Sequence, residues 1–164
     1  MKKAASYSKN NPPLTFSEEA AVQYEPVFTI LGGRQALAGQ LTAPADLISI
    51  SRAGIKKSAL RPLSRNLGIT LEQLSTILHT SHRNLQRKSD TSPLDSHKTE
   101  QVLELALLAQ RGAEVLGSSD AFKAWLQTPL AALGYEVPLH FLDTSFGIRM
   151  LHQQLGRLEQ GVFA

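Results

Sequence analysis

The sequence has 164 residues, of which 42% are hydrophobic and 19% charged, and it contains no cysteine. That length can bury a real core in one domain or two small ones. The lack of thiols excludes disulfides and sulfur-based metal sites and suits a reducing cytoplasm. The start MKKAASYSKNNPPLTF lacks the apolar run of a signal peptide, and no segment approaches the roughly 20 apolar residues that span a bilayer. We therefore expect a soluble, cytoplasmic protein with no membrane partner.

The net charge of +3 is unevenly distributed along the chain. Residues 52–88 hold eight Lys and Arg against one acid, Glu72, whereas residues 1–51 are balanced and residues 89–164 have a net charge of −4. A basic block inside a folded segment predicts a polyanion-binding surface, and the acidic remainder argues against non-specific binding of nucleic acid by the whole molecule. The alternative is a solvated face on which charges cluster by chance.

The first 43 residues are predicted to form an N-terminal arm that is partly disordered. Residues 1–16 are polar, contain paired prolines and lack periodicity. A helix is expected from Ser17 to Leu31, where Gly32-Gly33 ends it, with Pro26 as a candidate break. Pro44 then begins a short helix that ends near Gly54.

Residues 44–117 are predicted to form a helix-turn-helix region. One helix starts near Ser58 and ends at Gly68, with Lys57, Arg61 and Arg65 on one face. Thr70 can cap the next helix with Gln73 as its capping-box partner. Its buried stripe would consist of Leu71, Leu74, Ile77 and Leu78. His79-Thr80 interrupts the pattern, and Ser81 caps a short polar helix with Leu85 as its apolar residue.

The pair of short helices meets most requirements of a DNA-reading helix-turn-helix. Ser75 supplies the small residue that lets the helices approach, although His79 stands where the turn usually has glycine. Arg can bond guanine, and Asn or Gln adenine, while basic residues on an earlier helix can bind phosphate. The residues predicted to contact DNA are Lys57, Arg61, Arg65, Ser81, His82, Arg83, Asn84, Gln86, Arg87 and Lys88. The alternative is a pair of packed helices whose polar outer face contacts only solvent and does not bind DNA.

A long helix, capped by Asp95 or Ser96 and running to Leu116, is predicted to join the two halves. Leu103, Leu107 and Leu108 fit neither of its faces cleanly, so an exposed dimer or inter-domain surface is expected there. A homodimer is expected in any case, because helix-turn-helix proteins usually read two half-sites about one helical turn apart.

Residues 118–164 are predicted to form a second small helical unit. Ser119 or Asp120 caps the helix AFKAWL, Pro138 opens a further helix, and Thr144 caps a final helix that ends before Gly161. In that final helix four apolar residues face inward, namely Ile148, Leu151, Leu155 and Leu158. Trp125 is expected in the core beside Phe122. No strand pattern or repeat is present, so the predicted fold is all-α.

Catalysis and metal binding are not expected. His79-x-x-His82 straddles a turn without a third ligand nearby, the carboxylates are not paired, and no nucleophile elbow, P-loop or dinucleotide-binding glycine turn is present. No cofactor is therefore predicted.

The C-terminal third carries an ordered set of elements, namely Trp125-Leu126, Pro129, Ala132-Leu133-Gly134, Pro138-Leu139, Leu142-Asp143-Thr144, Gly147 and Gly161, and the stretch LGITLEQLSTILHTSHRNLQRKS and the long helix precede it. The C-terminal set resembles the toxin-binding domain of the Xre/MbcA/ParS antitoxins, and the upstream stretch with the long helix resembles the Xre-like helix-turn-helix half of the same family. The resemblance covers roughly residues 45–164. Tyr135 replaces a glycine common in the family, and Arg87-Lys88 stands for its repeated arginine.

The resemblance implies an antitoxin of a bacterial type II toxin–antitoxin pair. Its partner would be a RES-domain toxin that consumes NAD or transfers ADP-ribose, covered at its active-site cleft by the antitoxin's C-terminal region. The helix-turn-helix would bind operator DNA, and the homodimer would sit within a larger hetero-oligomer. The residues expected at the toxin are Arg149, Gln153, Arg157, Gln160, Val162, Phe163 and Ala164. The alternatives are a repressor without a toxin and an interaction adaptor.

Overall fold

Residues 16–161 are described by the computed structural model, with side chains from residue 23 onward. This part of the chain forms eight α-helices. They are α1 (Phe16–Ile30), α2 (Pro44–Ala53), α3 (Leu60–Leu67), α4 (Leu71–Ile77), α5 (His82–Arg87), α6 (Ser96–Leu116), α7 (Ser119–Leu126) and α8 (Ser145–Glu159). Short 3-10 turns cover Arg34–Ala36, Lys57–Ala59, Ala131–Leu133 and Pro138–Phe141. No β-strand occurs among residues 16–161, and the predicted all-α class is confirmed.

Most helix ends follow from local capping chemistry. The Thr70 hydroxyl accepts a hydrogen bond from the Gln73 amide at 3.1 Å, and the Gln73 side chain accepts one from the Thr70 amide at 2.9 Å. This is the predicted capping box. Gly68 ends α3 with a positive φ of 69°. At α7 the predicted cap was one residue late, because the Ser118 hydroxyl accepts from the Ala121 amide at 3.0 Å.

The first helix passes through Pro26 without the break considered from the sequence. Pro26 is exposed, so its ring lies on the solvent side of the helix and away from the packed side. The C-terminal half of this helix packs into the common core through Tyr24, Val27 and Phe28. Part of the segment predicted as an N-terminal arm therefore belongs to the packed fold. Residues 1–15, where disorder was predicted, lie outside the described residues.

The long helix α6 is the centre of the fold. It packs against α1, α2, α3, α7 and α8. Leu103 and Leu108 are 3% and 0% exposed, and Leu107 is partly buried against the same core. These leucines therefore form no exposed dimer surface, whereas the inter-domain alternative agrees with the packing, because a helix surrounded by neighbours from both halves buries apolar residues on several faces. No described helix is long and apolar enough to cross a lipid bilayer.

The C-terminal unit packs on α6 through α7 and α8. Phe122 and Trp125 of α7 stack with ring centroids 6.0 Å apart, and both are buried as expected for core aromatics. On α8, Ile148, Leu151 and Leu155 are buried as predicted. The inward face of α8 is therefore buried in the core, and its opposite face is exposed to solvent.

Acid should destabilise the fold through His152, which lies on α8. Burial of its ring and the nearby Arg111 guanidinium lower its pKa below the usual 6.5. The unfolded chain therefore takes up a proton near pH 6.5 that the folded protein accepts only at lower pH. We expect the melting temperature to fall as the pH drops from about 6.5 towards the folded pKa of His152, and we expect His152→Gln to remove this fall.

Thermal melts between about pH 8 and about pH 5, with an NMR titration of the His152 ring, would test this prediction. A variant that keeps the full acid dependence would contradict it.

Candidate functional site

The two short helices α4 and α5 form a packed helix-turn-helix. The residues predicted to hold them together are buried, namely Leu74, Ser75, Ile77, Leu78 and Leu85. The Ser75 hydroxyl donates to the Glu72 carbonyl at 2.7 Å, which satisfies the one polar group in this contact. Leu85 is the buried residue of α5 and His82 is half-buried, whereas the other residues of that helix are exposed.

His79 occupies the turn in the left-handed region, with a φ of 51°. Glycine is the usual residue in this conformation, because a side chain there is strained. The imidazole Nε2 of His79 lies 2.8 Å from the carbonyl oxygen of Asp143, in the loop before α8. The side chain that replaces glycine thus gains a hydrogen bond to the C-terminal unit.

A second polar connection crosses the same boundary. The amide nitrogen of buried Gln101 donates to the Ile77 carbonyl at 2.7 Å, and lies 3.4 Å from the Asp143 carbonyl oxygen. Ile77 ends α4, and Asp143 precedes the cap of α8. Gln101 of α6 therefore links the end of α4 to the residue that precedes the cap of α8.

The outer surface of α5, which we call the recognition face, carries Arg83, Asn84, Gln86, Arg87 and Lys88 in exposed positions. Within the described residues, the Arg83, Asn84 and Arg87 side chains form no hydrogen bond or ion pair. The side chains of three other residues predicted to contact DNA already form hydrogen bonds within the chain. The Ser81 hydroxyl caps α5 by accepting from the Asn84 amide at 3.1 Å, and His82 contacts Gln86 at 2.8 Å.

Two basic residues from earlier in the chain, Lys57 before α3 and Arg61 on α3, lie beside the recognition face. A groove of about 210 Å³ brings Lys57 and Arg61 together with His82 and Gln86. The Lys57 ammonium is engaged, because it lies 3.2 Å from an Asp90 carboxylate oxygen and its side chain is only 15% exposed. Arg61 and Arg65 remain exposed. The structure thus supports a phosphate-binding role for the two arginines more strongly than for Lys57.

Lys98 joins this surface, although it lies outside the basic block of the sequence. It lines a groove of about 370 Å³ with Thr80, Asn84, Arg87 and Lys88. Its ammonium also pairs with Asp95, the cap of α6. Its sequence position gives no sign of this, because only the tertiary fold brings the start of α6 next to α5.

The exposed face of α8 forms a second candidate surface. Arg149, Gln153, Arg157 and Gln160, which we call the arginine stripe, are exposed as predicted. Among the described residues, neither arginine of the stripe has an ion-pair partner. The other predicted residues, Val162, Phe163 and Ala164, lie outside the described residues.

Phe146 extends the arginine stripe and was not singled out from the sequence. Its side chain is 79% exposed, and the Arg149 guanidinium carbon lies 5.4 Å from the centroid of its ring. Its spacing of three residues from Arg149 and seven from Gln153 was the available signal for a shared face. Within residues 23–161, no group of three or more His, Asp or Glu side chains is arranged to hold a metal.

Comparison with known proteins gives matches to both halves. The model of the antitoxin Xre-like helix-turn-helix domain matches residues 46–107. The model of the antitoxin Xre/MbcA/ParS C-terminal toxin-binding domain matches residues 111–161. A protein of Sphingobium sp. (strain YBL2) named Prs ADP-ribosylating antitoxin is 28% identical over 132 residues, which cover 74% of this chain and 83% of that protein. The recognition face falls within the first match, and the arginine stripe within the second.

Proposed function

Because the chain belongs to the Xre/MbcA/ParS family of antitoxins, with a helix-turn-helix domain followed by a toxin-binding domain, we propose that it silences one toxin and represses the operon that encodes both. The toxin is a RES-domain enzyme that uses NAD to ADP-ribosylate its target. The name of the Sphingobium relative supports ADP-ribosylation as the toxin's chemistry. The antitoxin itself acts by binding and not by catalysis.

The observation that carries the proposal is the presence of two separate arginine-bearing surfaces, one on α5 and one on α8, in a fold in which α6 packs against both α3 and α8. The recognition face offers arginine and amide groups to DNA, and Arg61 and Arg65 lie exposed on the neighbouring helix. The arginine stripe lies on α8, in the part matched to the toxin-binding domain. We propose residues 44–117 as the DNA-binding unit and residues 118–164 as the toxin-binding unit.

Neutralisation would result from occlusion of the toxin's active-site cleft. The inward face of α8 is buried against α6, so the stripe is presented by a helix whose position is fixed. A rigid element loses little conformational entropy on binding, which favours tight association. The antitoxin would act as a homodimer that reads two operator half-sites, within a larger complex with the toxin.

Two assays test the proposal together. The toxin encoded beside this chain should arrest growth when expressed alone and should be harmless when this chain is co-expressed. A gel-shift titration with the upstream promoter fragment should show binding at low ionic strength. Rescue without promoter binding would contradict repression. Promoter binding without rescue would favour the alternative, a repressor without a toxin partner.

Salt dependence should distinguish the residues that contact phosphate. Arg61→Ala and Arg65→Ala should each reduce the slope of log affinity against log salt by about 0.9, because each phosphate contact releases about that many counterions. Lys57→Ala should change the slope less, since Asp90 already pairs with its ammonium. Arg157→Ala removes the same charge from α8 and should leave the slope unchanged. Fluorescence anisotropy on operator DNA from about 50 to about 200 mM salt is the measurement. Equal slopes for Arg61→Ala and Arg157→Ala would contradict the assignment.

A further inference from the structure

Phe146 is one of the large apolar side chains that the described fold leaves exposed, together with Ile48 and Tyr135. It is 79% exposed, at the second position of α8. It differs from the other two because it continues the arginine stripe, at spacings of three or four residues along one helix face. Arg149 lies with its guanidinium carbon 5.4 Å from the ring centroid, which restrains both side chains before any partner arrives.

On its other side Phe146 borders a groove of about 310 Å³ between the two matched domains. His79, His97, Glu100 and Gln101 line that groove, and all four lie in the part matched to the helix-turn-helix domain. Gln101 is buried and bonded to the Ile77 carbonyl, so the floor of the groove is held in place. His97 and Glu100 are exposed at its edge.

We propose that Phe146 and Arg149 form the anchor of the toxin interface, and that the bound toxin crosses the domain boundary to contact His97 and Glu100. This inference rests on the proposed function and assigns toxin-binding residues to the helix-turn-helix domain. The matching surface of the toxin is an apolar pocket that takes the phenyl ring, with a carboxylate at its edge that meets the Arg149 guanidinium.

The residue types and the positions of Phe146 and Arg149 support their role as the anchor of the toxin interface. Aromatic residues and arginine are enriched among the few residues that carry most of the affinity of an interface. Such residues lie near the centre of the contact, surrounded by residues that exclude water. Within the chain matched to the toxin-binding domain, Phe146 is the exposed aromatic that adjoins the arginine stripe.

The size of a typical protein interface supports the proposal that the toxin contacts both matched domains. A stable protein interface buries about 800 Å² on each partner, which corresponds to a patch roughly 16 Å in radius. Phe146 itself lines the groove that contains His97 and Glu100. A contact of ordinary size centred on Phe146 therefore extends over that groove and beyond the matched toxin-binding domain.

The test measures affinity of the purified full-length chain for the toxin encoded beside it, by biolayer interferometry, with four variants. Phe146→Ala should weaken binding at least about 30-fold, as loss of an interface anchor does. His97→Ala should weaken it by about 3- to 10-fold. Tyr135→Ala is the matched control, because Tyr135 is an exposed aromatic of the same domain, and it should change affinity less than twofold. Arg149→Ala should also weaken binding, and all four variants should keep the wild-type affinity for promoter DNA.

The outcomes separate the inference from the proposed function. A wild-type chain that does not bind the toxin overturns both. A wild-type chain that binds, with Phe146→Ala binding equally well, overturns the anchor and leaves the proposed function standing. Full affinity in His97→Ala overturns the crossing of the domain boundary. If Phe146→Ala instead converts a dimer to a monomer in sedimentation analysis without loss of toxin affinity, the surface joins two copies of this chain and the anchor is overturned.

Discussion

Gly112→Ala should destabilise the protein by about 3 kcal/mol, near the upper end of the usual cost of overpacking a core. Gly112 lies within α6 and is buried against the α7 ring of Phe122. A methyl group at Gly112 would lie 2.0 Å from the Phe122 Cδ2 atom and 2.4 Å from its Cε2 atom. The ring cannot move away freely, because it is fully buried and stacks on Trp125. Helix α7 would have to shift away from α6, which opens the core of the C-terminal unit.

Urea unfolding followed by circular dichroism measures this change, and Gly156→Ala is the matched control. Gly156 also lies within a helix, but apart from its chain neighbours and the adjacent backbone of the same helix, no atom of the described residues lies within 4 Å of a methyl group placed there. Alanine is a better helix former than glycine by about 1 kcal/mol, so Gly156→Ala should stabilise the fold slightly. The two substitutions are chemically identical, and only packing distinguishes them. Equal effects would show that the close approach of α6 to Phe122 is not a constraint on the fold.

Arg83→Ala combined with Arg87→Ala should nearly abolish operator binding. Both arginines are exposed on the recognition face and form no ion pair among the described residues. Each arginine that bonds a base edge contributes about 1–3 kcal/mol, so the double variant should lose between about 2 and about 6 kcal/mol of binding free energy. Anisotropy titrations with the operator measure the loss. Stability should change little, because neither side chain packs in the core.

A scrambled DNA of equal length provides the control for this prediction. If the arginines read bases, affinity for the operator should fall much further than affinity for the scrambled sequence, so the ratio of the two affinities drops. If they bind only phosphate, both affinities should fall together and the ratio should stay constant. The second result would indicate that Asn84 or Gln86, and not the two arginines, contacts the bases.

The packing around α6 has a consequence for how the two functions coexist. The same helix packs against α2 and α3 and against α7 and α8, and Gln101 joins the end of α4 to the loop before α8. His79 adds a bond from the turn to the Asp143 carbonyl. The recognition face and the arginine stripe therefore have a set spacing and orientation, which suits a protein that holds DNA and another protein together.

The sequence by itself predicted the helices and many of their ends. Thr70 with Gln73, Ser81 and Thr144 were recognised as caps, because a cap depends on atoms within about four residues of itself. The inward and outward faces of α8 followed from periodicity for the same reason. The all-α class and the family resemblance were also readable from the order of these local signals.

Tertiary structure decided which side chains are available. Leu103 and Leu108 were expected at the surface and are buried, because helices distant in the sequence surround α6. Lys57 is predicted to contact DNA and is paired with Asp90, whereas Lys98 joins the basic surface from outside the basic block. Phe146 is exposed because no other element among residues 16–161 covers the start of α8. Exposure depends on what packs against a residue from elsewhere in the chain, and local patterning carries no information on that.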